Sequence, residues 1–247
     1  MDAREAAIAS GDSINGLGTH FMLDLNTYAH GATLGFDGID FYLAGRCGVL
    51  GDAPASVVAA ALVFFEPGYV ADGWARSASV MPRHQAALEF AGVCHRWADE
   101  KVPDDIDATR LAALTGRVAD AASVAGAPLF AGWRSLPEPE ADRPKALALH
   151  RVNALRELRG AMHGAAILTH GVTPHAAVAR RTPYMLDVFG WKAPHPDKDP
   201  VREPWADAQA ATERAMAPAF EALTSAEREE LVELVDATQA AVTPPAA

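Results

Sequence analysis

Apolar residues recur along this chain at three- and four-residue intervals and almost nowhere at alternate positions, the pattern of helices. Proline, glycine and capping residues punctuate it. The periodic stretches predict helices near residues 2–9, 13–33, 38–48, 54–65, 67–79, 83–99, 107–125, 143–170, 174–189, 205–222 and 225–241. Two starts are specific. Thr224 followed by Glu227 ahead of an apolar run is a capping-box pattern, and Pro174 after Thr173 sits where a first-turn proline is tolerated. The expected fold class is all-α: a multi-helix orthogonal bundle around a long central helix at about 143–170, with a C-terminal helix pair.

The stretch after Gly190 is rich in proline and mixed charge. It divides the chain into a helical core with a candidate pocket (1–190), an irregular connection (191–204) and a helix pair (205–247). A pair that short cannot bury a core alone, so it is expected to pack on the rest or on a second subunit, as in a homodimer. Pro244 and Pro245 are expected to end it in a frayed tail.

Half of the 247 residues are apolar, enough for a substantial core. The formal net charge of -11 works against unaided binding to phosphate backbones, so nucleic acid is not an expected partner. Cys47 and Cys94 form no CxxC, and the N-terminus has acidic residues and no apolar signal core. No apolar run is long enough for a bilayer, so a cytoplasmic protein without a membrane partner is expected.

Charge becomes informative on the predicted long helix, in RELRGAMHGA, residues 156–165. At about 100° per residue, Arg156, Arg159 and His163 share a band with Val152 and Ile167, while His150, Asn153, Glu157 and Gly164 share another. Gly160 and Gly164 each cost roughly 1 kcal/mol of helix propensity, which points to a crowded location. Two arginines beside one glutamate leave an imbalance. Acids elsewhere, with Asp37, Asp40 and Glu66 as candidates, or an anionic ligand would close it. The cluster therefore reads either as an internal ion network or as a small-molecule site.

A second stretch, FDGIDFYLAGRCGVLG followed by LVFFEPGYVADGW, sets Asp40, Tyr42, Arg46 and Glu66 in apolar, aromatic sequence. That is the composition of a pocket wall with a few orienting groups. The plainer alternative is a core tyrosine, with Glu66 before Pro67 at a helix boundary.

Other motifs fail on context. GDSI at residues 11–14 lacks the preceding apolar strand and any DxxH pair of an esterase, so Ser13 reads as a helix cap. GxSxG, HExxH, ExxH, GxGxxG and GxxxxGK[ST] are absent, and no metal site is expected. No cofactor is expected either. A haem on a single axial histidine, His163 or His30, leaves no spacing signature and stays open.

The segments LGFDGIDFYLAGRCGVLGDAPASVVAAALVFFEPGYV, LHRVNALRELRGAMHGAAIL and ATERAMAPAFEALTSAEREELVEL together resemble a family of uncharacterised actinobacterial proteins often labelled helix-turn-helix. That family's long helix carries R-E-x-R-G-x-x-H, matched here by Arg156, Glu157, Arg159, Gly160 and His163, and Arg46 and the Phe65-Glu66-Pro67 step also match. Many relatives have histidine at the position of Glu66. They also have a longer, winged-helix-like segment after a Gly-Trp pair, whereas here Gly190 and Trp191 lead into the short PHPDKDPVREP. The resemblance implies a site without naming a substrate.

Together these readings give a pocket in which Arg156 and Arg159 orient an anionic or carbonyl-bearing small molecule. His163 would transfer protons, assisted by Glu157, while Arg46, Tyr42, Glu66 and His150 complete the wall, in either a biosynthetic enzyme or only a binder. Two alternatives remain open: a ligand-responsive regulator, and a structural protein whose charges only tie helices together.

Overall fold

The computed structural model describes residues 1–243, and among them it holds α-helices and 3-10 turns but no strand. The helices are α1 (Ala3–Leu23), α2 (Leu25–Thr33), α3 (Asp40–Cys47), α4 (Ala55–Leu62), α5 (Pro67–Ser77), α6 (Arg83–Lys101), α7 (Ala108–Ala121), α8 (Pro128–Arg134), α9 (Pro144–Thr169), α10 (Pro174–Arg181), α11 (Arg202–Phe220) and α12 (Ser225–Val242). The chain is an all-α multi-helix bundle, and none of the described helices is long and apolar enough to cross a membrane. Pro244 and Pro245 lie outside the described residues.

The bundle is organised by α9. Its 26 residues span about 39 Å at 1.5 Å per residue. Pro144 opens it at a position that lacks an intrahelical acceptor in any case. A Schellman motif closes it: Gly171, at φ 72°, donates to Leu168 O, and Val172 donates to Ile167 O at 2.9 Å. Val172 and Ile167 also bury their side chains in the same small apolar cluster, which completes the stop. Between Ala148 and Leu158 the helix is buried on nearly every side, because α1, α6, α7, α8 and α11 surround it. This accounts for its lack of a single wet face.

The two specific starts are present. Thr224 and Glu227 form the reciprocal capping box of α12, and Thr173 accepts the Ala176 N–H ahead of Pro174 in α10. Elsewhere the pattern misplaces boundaries. The Gly11-Asp12-Ser13 step reads as a break, yet α1 runs through it and ends at Asp24, whose carboxylate caps α2 at Asn26 N–H. Ser13 therefore caps nothing; it lies inside α1 and donates to Asp236 of α12. The glycines serve clearance instead. A Cβ on Gly11 would stand 3.1 Å from Arg159 Nε, and one on Gly18 would stand 2.2 Å from Arg156 Cδ. Helix α8 was not expected, since seven residues are too few to show a period.

The last two helices complete the core. α11 packs against α1, α7 and α9, and α12 against α1 and α7, with Phe220, Leu231 and Val235 fully buried. α11 starts at Arg202, earlier than the sequence suggests, because Pro204 falls in its first turn, where no intrahelical donor is lost.

Candidate functional site

Glu157 is the charged centre of the interior, with its side chain only 1% exposed. Arg46 of α3 reaches it as a fork: Nε donates to Oε1 and Nη2 to Oε2, both at 2.8 Å. Arg156 adds a third bond, Nη1 to Oε1 at 3.1 Å, and Arg46 Nη1 donates to Tyr42 OH at 2.7 Å. Burial by itself would raise the Glu157 carboxyl, but the Arg46 charge, its hydrogen bonds and Arg156 outweigh it and hold the group below the usual carboxylate range. Arg46 is correspondingly raised by Glu157 against its own desolvation. Part of the cluster is thus an internal ion network.

Arg159 stands outside that network. Half-buried and one turn beyond Arg156, it makes no ion pair and no hydrogen bond among the described residues. Burial pulls its pKa down, while the charges of Asp12 and Glu213 pull the other way; a guanidinium stays protonated regardless.

His163 is held differently. Thr212 of α11 donates its single hydroxyl proton to Ala208 O at 2.8 Å, so its oxygen can only accept from His163 Nδ1–H, 3.0 Å away. With the Thr212 proton on Ala208 O, this geometry assigns the imidazole the Nδ1–H tautomer. Nε2, the other ring nitrogen, has no hydrogen-bond partner among the described residues and is not fully buried. Burial, then the nearby charges of Arg159 and Arg181, push its pKa down to about 4, so the ring is neutral at physiological pH. The ring stacks on Phe64 at 5.6 Å and stands edge-on to Trp205 at 6.2 Å.

Phe64 is positioned by an uncommon turn. Val63 has φ 47° and ψ -57°, and Phe64 N–H donates to Leu62 O at 2.5 Å, a γ-turn of the rarer hand. A β-branched residue in that conformation is strained. Neighbours hold the turn from both sides. Trp191 Nε1 donates to Phe64 O at 2.8 Å, and Glu66 N–H donates to Phe189 O at 2.8 Å. Gly164 of α9 lies directly beneath, where a Cβ would meet Val63 Cγ2 at 2.8 Å.

These elements enclose a cavity of about 550 Å³ between α1, the turn after α4, α9, α10 and α11. Tyr42, Arg46, Arg156, Glu157, Arg159 and His163 all line it. Gly160 also borders it, and a Cβ there would meet nothing within 4 Å. Phe64, Phe65, Phe189 and Trp205 supply an aromatic wall, and exposed Asp12, Arg181 and Tyr184 mark the mouth. Four guanidiniums (Arg46, Arg156, Arg159, Arg181) face two carboxylates (Asp12, Glu157) around it, leaving an excess of positive charge.

Two expected wall residues are elsewhere. Glu66 is the N-cap of α5, its carboxylate accepting Tyr69 N–H at 2.5 Å, so the helix-boundary reading holds. His150, two turns before Glu157 on α9, faces α6 and α8: its Nδ1 lies 3.0 Å from His95 Nε2, and its ring lies 5.2 Å from that of Trp133. Asp40, a candidate counter-ion, pairs instead with Arg76 at 2.7 Å. Val63, Phe64, Trp205 and Thr212 were not singled out in the sequence; an apolar residue next to a charged helix start, or a threonine mid-helix, carries no local signal.

The winged segment expected of relatives has no counterpart among the described residues, since the path after Gly190 holds no strand and Trp191 is spent on the Phe64 carbonyl. The helix after the Gly171 turn, α10, buries Ala176 through Ala179 and lends Ala177 and Val178 to the cavity. No curated protein and no solved structure matches the chain. A family profile described as a helix-turn-helix family matches residues 11–194, a span that takes in α1 from Gly11 onward, all of α2 through α10 and every arginine around the cavity. With three quarters of its length so matched, the chain belongs to that helix-turn-helix family.

Proposed function

We propose that the protein binds an anionic or carbonyl-bearing small molecule in the cavity beside α9. The observation that carries this reading is Arg159, a half-buried guanidinium lining the cavity with no acidic partner among the described residues. An unpaired charge in such a place costs several kcal/mol unless water or a ligand serves it. A guanidinium fork suits a carboxylate or a polarised carbonyl. In this reading Glu157 is a positioning residue, because both its oxygens are engaged in fixing Arg46 and Arg156. His163 supplies an acceptor rather than a charge.

Comparison of native and denaturing mass spectra of freshly purified protein tests the proposal. The expected result is a non-covalent mass excess that Arg159→Leu abolishes while helicity and cooperative unfolding persist. No excess, together with a variant several kcal/mol less stable, would return the cluster to a purely internal ion network.

Membership of the helix-turn-helix family favours a second reading, in which the cavity is the effector site of a ligand-responsive regulator. An electrophoretic shift of DNA from upstream of the protein's own gene, weakening steeply with salt, is the outcome expected of it. No shift at low salt, with or without the cavity ligand, removes it.

A further inference from the structure

We infer that the cavity is built for a planar aromatic carboxylate that also carries a hydroxyl or N–H donor, the carboxylate on Arg159 and Arg156 and the donor on His163 Nε2. This deepens the binding reading and rests on it. Three independent features of the same cavity converge.

The first is charge. After Glu157 is shared between Arg46 and Arg156, the unmatched donors on α9 that border the cavity are the Arg159 fork and Arg156 Nη2; Arg156 Nε also lacks a partner but is sealed against Gly18 of α1. They are suited to one bidentate anion.

The second is the direction of one hydrogen-bond chain. Ala208 O takes the Thr212 proton, Thr212 Oγ1 takes the Nδ1 proton of His163, and Nε2 is left with only a lone pair. A neutral acceptor fixed in this way cannot welcome a second acceptor such as a bare carboxylate oxygen. It asks for a donor. The depressed pKa of the ring agrees, since protonation would turn Nε2 into a donor only well below neutral pH.

The third is shape and polarity. His163 is itself sandwiched in an aromatic wall, stacked on Phe64 and edge-on to Trp205, with Phe65 and Phe189 tilted together at 4.2 Å. Aromatic faces and edges arranged in this way favour a flat, unsaturated body over a flexible polar one.

Matched probes separate these claims: 2-naphthoate, three hydroxy-2-naphthoate isomers and 2-naphthol, titrated calorimetrically into the wild-type protein, His163→Phe and Arg159→Leu, with thermal unfolding of each to verify folding. At least one hydroxynaphthoate is expected to bind tenfold or more tightly than 2-naphthoate. His163→Phe keeps the ring and is expected to abolish that preference while leaving 2-naphthoate unchanged. Arg159→Leu is expected to weaken every acid and spare the naphthol.

If no hydroxy isomer exceeds 2-naphthoate, or if the preference survives in His163→Phe, the donor requirement is overturned while anion binding stands. If no acid binds the wild-type protein, the aromatic-carboxylate inference falls, while the broader binding reading is decided by the native and denaturing mass spectra.

Discussion

Gly160 and Gly164 lie one turn apart on α9 and meet opposite surroundings. Gly160 opens on the cavity, so Gly160→Ala is expected to raise stability by about 1 kcal/mol through helix propensity, while the new methyl occupies ligand space. Gly164→Ala drives a methyl into Val63 and is expected to lower stability by about 1–3 kcal/mol despite the same propensity gain. Urea unfolding of the two variants is the check, and a shared sign would refute the assigned environments. At Glu157, the substitution Glu157→Gln leaves Arg46 buried without its counter-charge, for an expected loss of about 3 kcal/mol in the same assay. The sequence revealed that Arg156, Glu157, Arg159 and His163 stand close together, because a helical wheel fixes azimuth. It could not reveal which neighbour packs at each height. His150 shares the Glu157 side of the wheel, yet two turns lower it meets His95 rather than Arg46.

Among the elements, the turn after α4 shows the limit of pattern reading most clearly. Nothing in LVFFEP announces that Val63 takes a positive φ, since the cause lies in partners distant in sequence: Trp191, Phe189 and the space above Gly164. That conformation inverts an ordinary ranking. Glycine adopts it freely and alanine does not, so Val63→Gly is expected to be at least as stable as Val63→Ala, the reverse of the order at a regular helical site. Denaturation midpoints of the pair decide it. Helix α1 gives the converse lesson. Its glycines look like local breaks, and only the arginines of α9 explain why the helix tolerates them. Where local chemistry dominates, as at the Thr224 and Thr173 caps, the sequence was sufficient.

For the whole molecule, buried neutral imidazoles set the response to acid. His95 and His150, pressed together and desolvated, and His163, desolvated beside Arg159 and Arg181, are all pulled below the usual histidine pKa. Arg143 and Arg96 push His95 further down against Asp99, whereas at His150 Glu138 outweighs Arg151 and burial alone carries the downward shift. The unfolded chain therefore binds protons near pH 6.5 that the folded chain refuses until about pH 4, and stability is full above that window and lost as pH falls through it. Each histidine contributes up to about 1.4 kcal/mol per pH unit. Thermal midpoints measured from pH 8 to pH 4.5 should fall steadily below pH 6.5, and His150→Phe should flatten the fall. A flat profile in the native chain would show that these rings are hydrated.

The family match ends at residue 194, and α11 begins at Arg202. Every cavity arginine belongs to the matched stretch, whereas Thr212, which orients His163, and Trp205, which walls it, come from beyond. In the proposed binding reading the anchoring arginines, the His163 acceptor and three of the four aromatic walls therefore lie on one stretch of chain, and the group that orients the acceptor lies on another. On that reading a change at position 212 or 205 alone would alter what the cavity admits while leaving every anchoring arginine in place, whereas exchanging all of 202–243 would also replace the core residues Phe220, Leu231 and Val235.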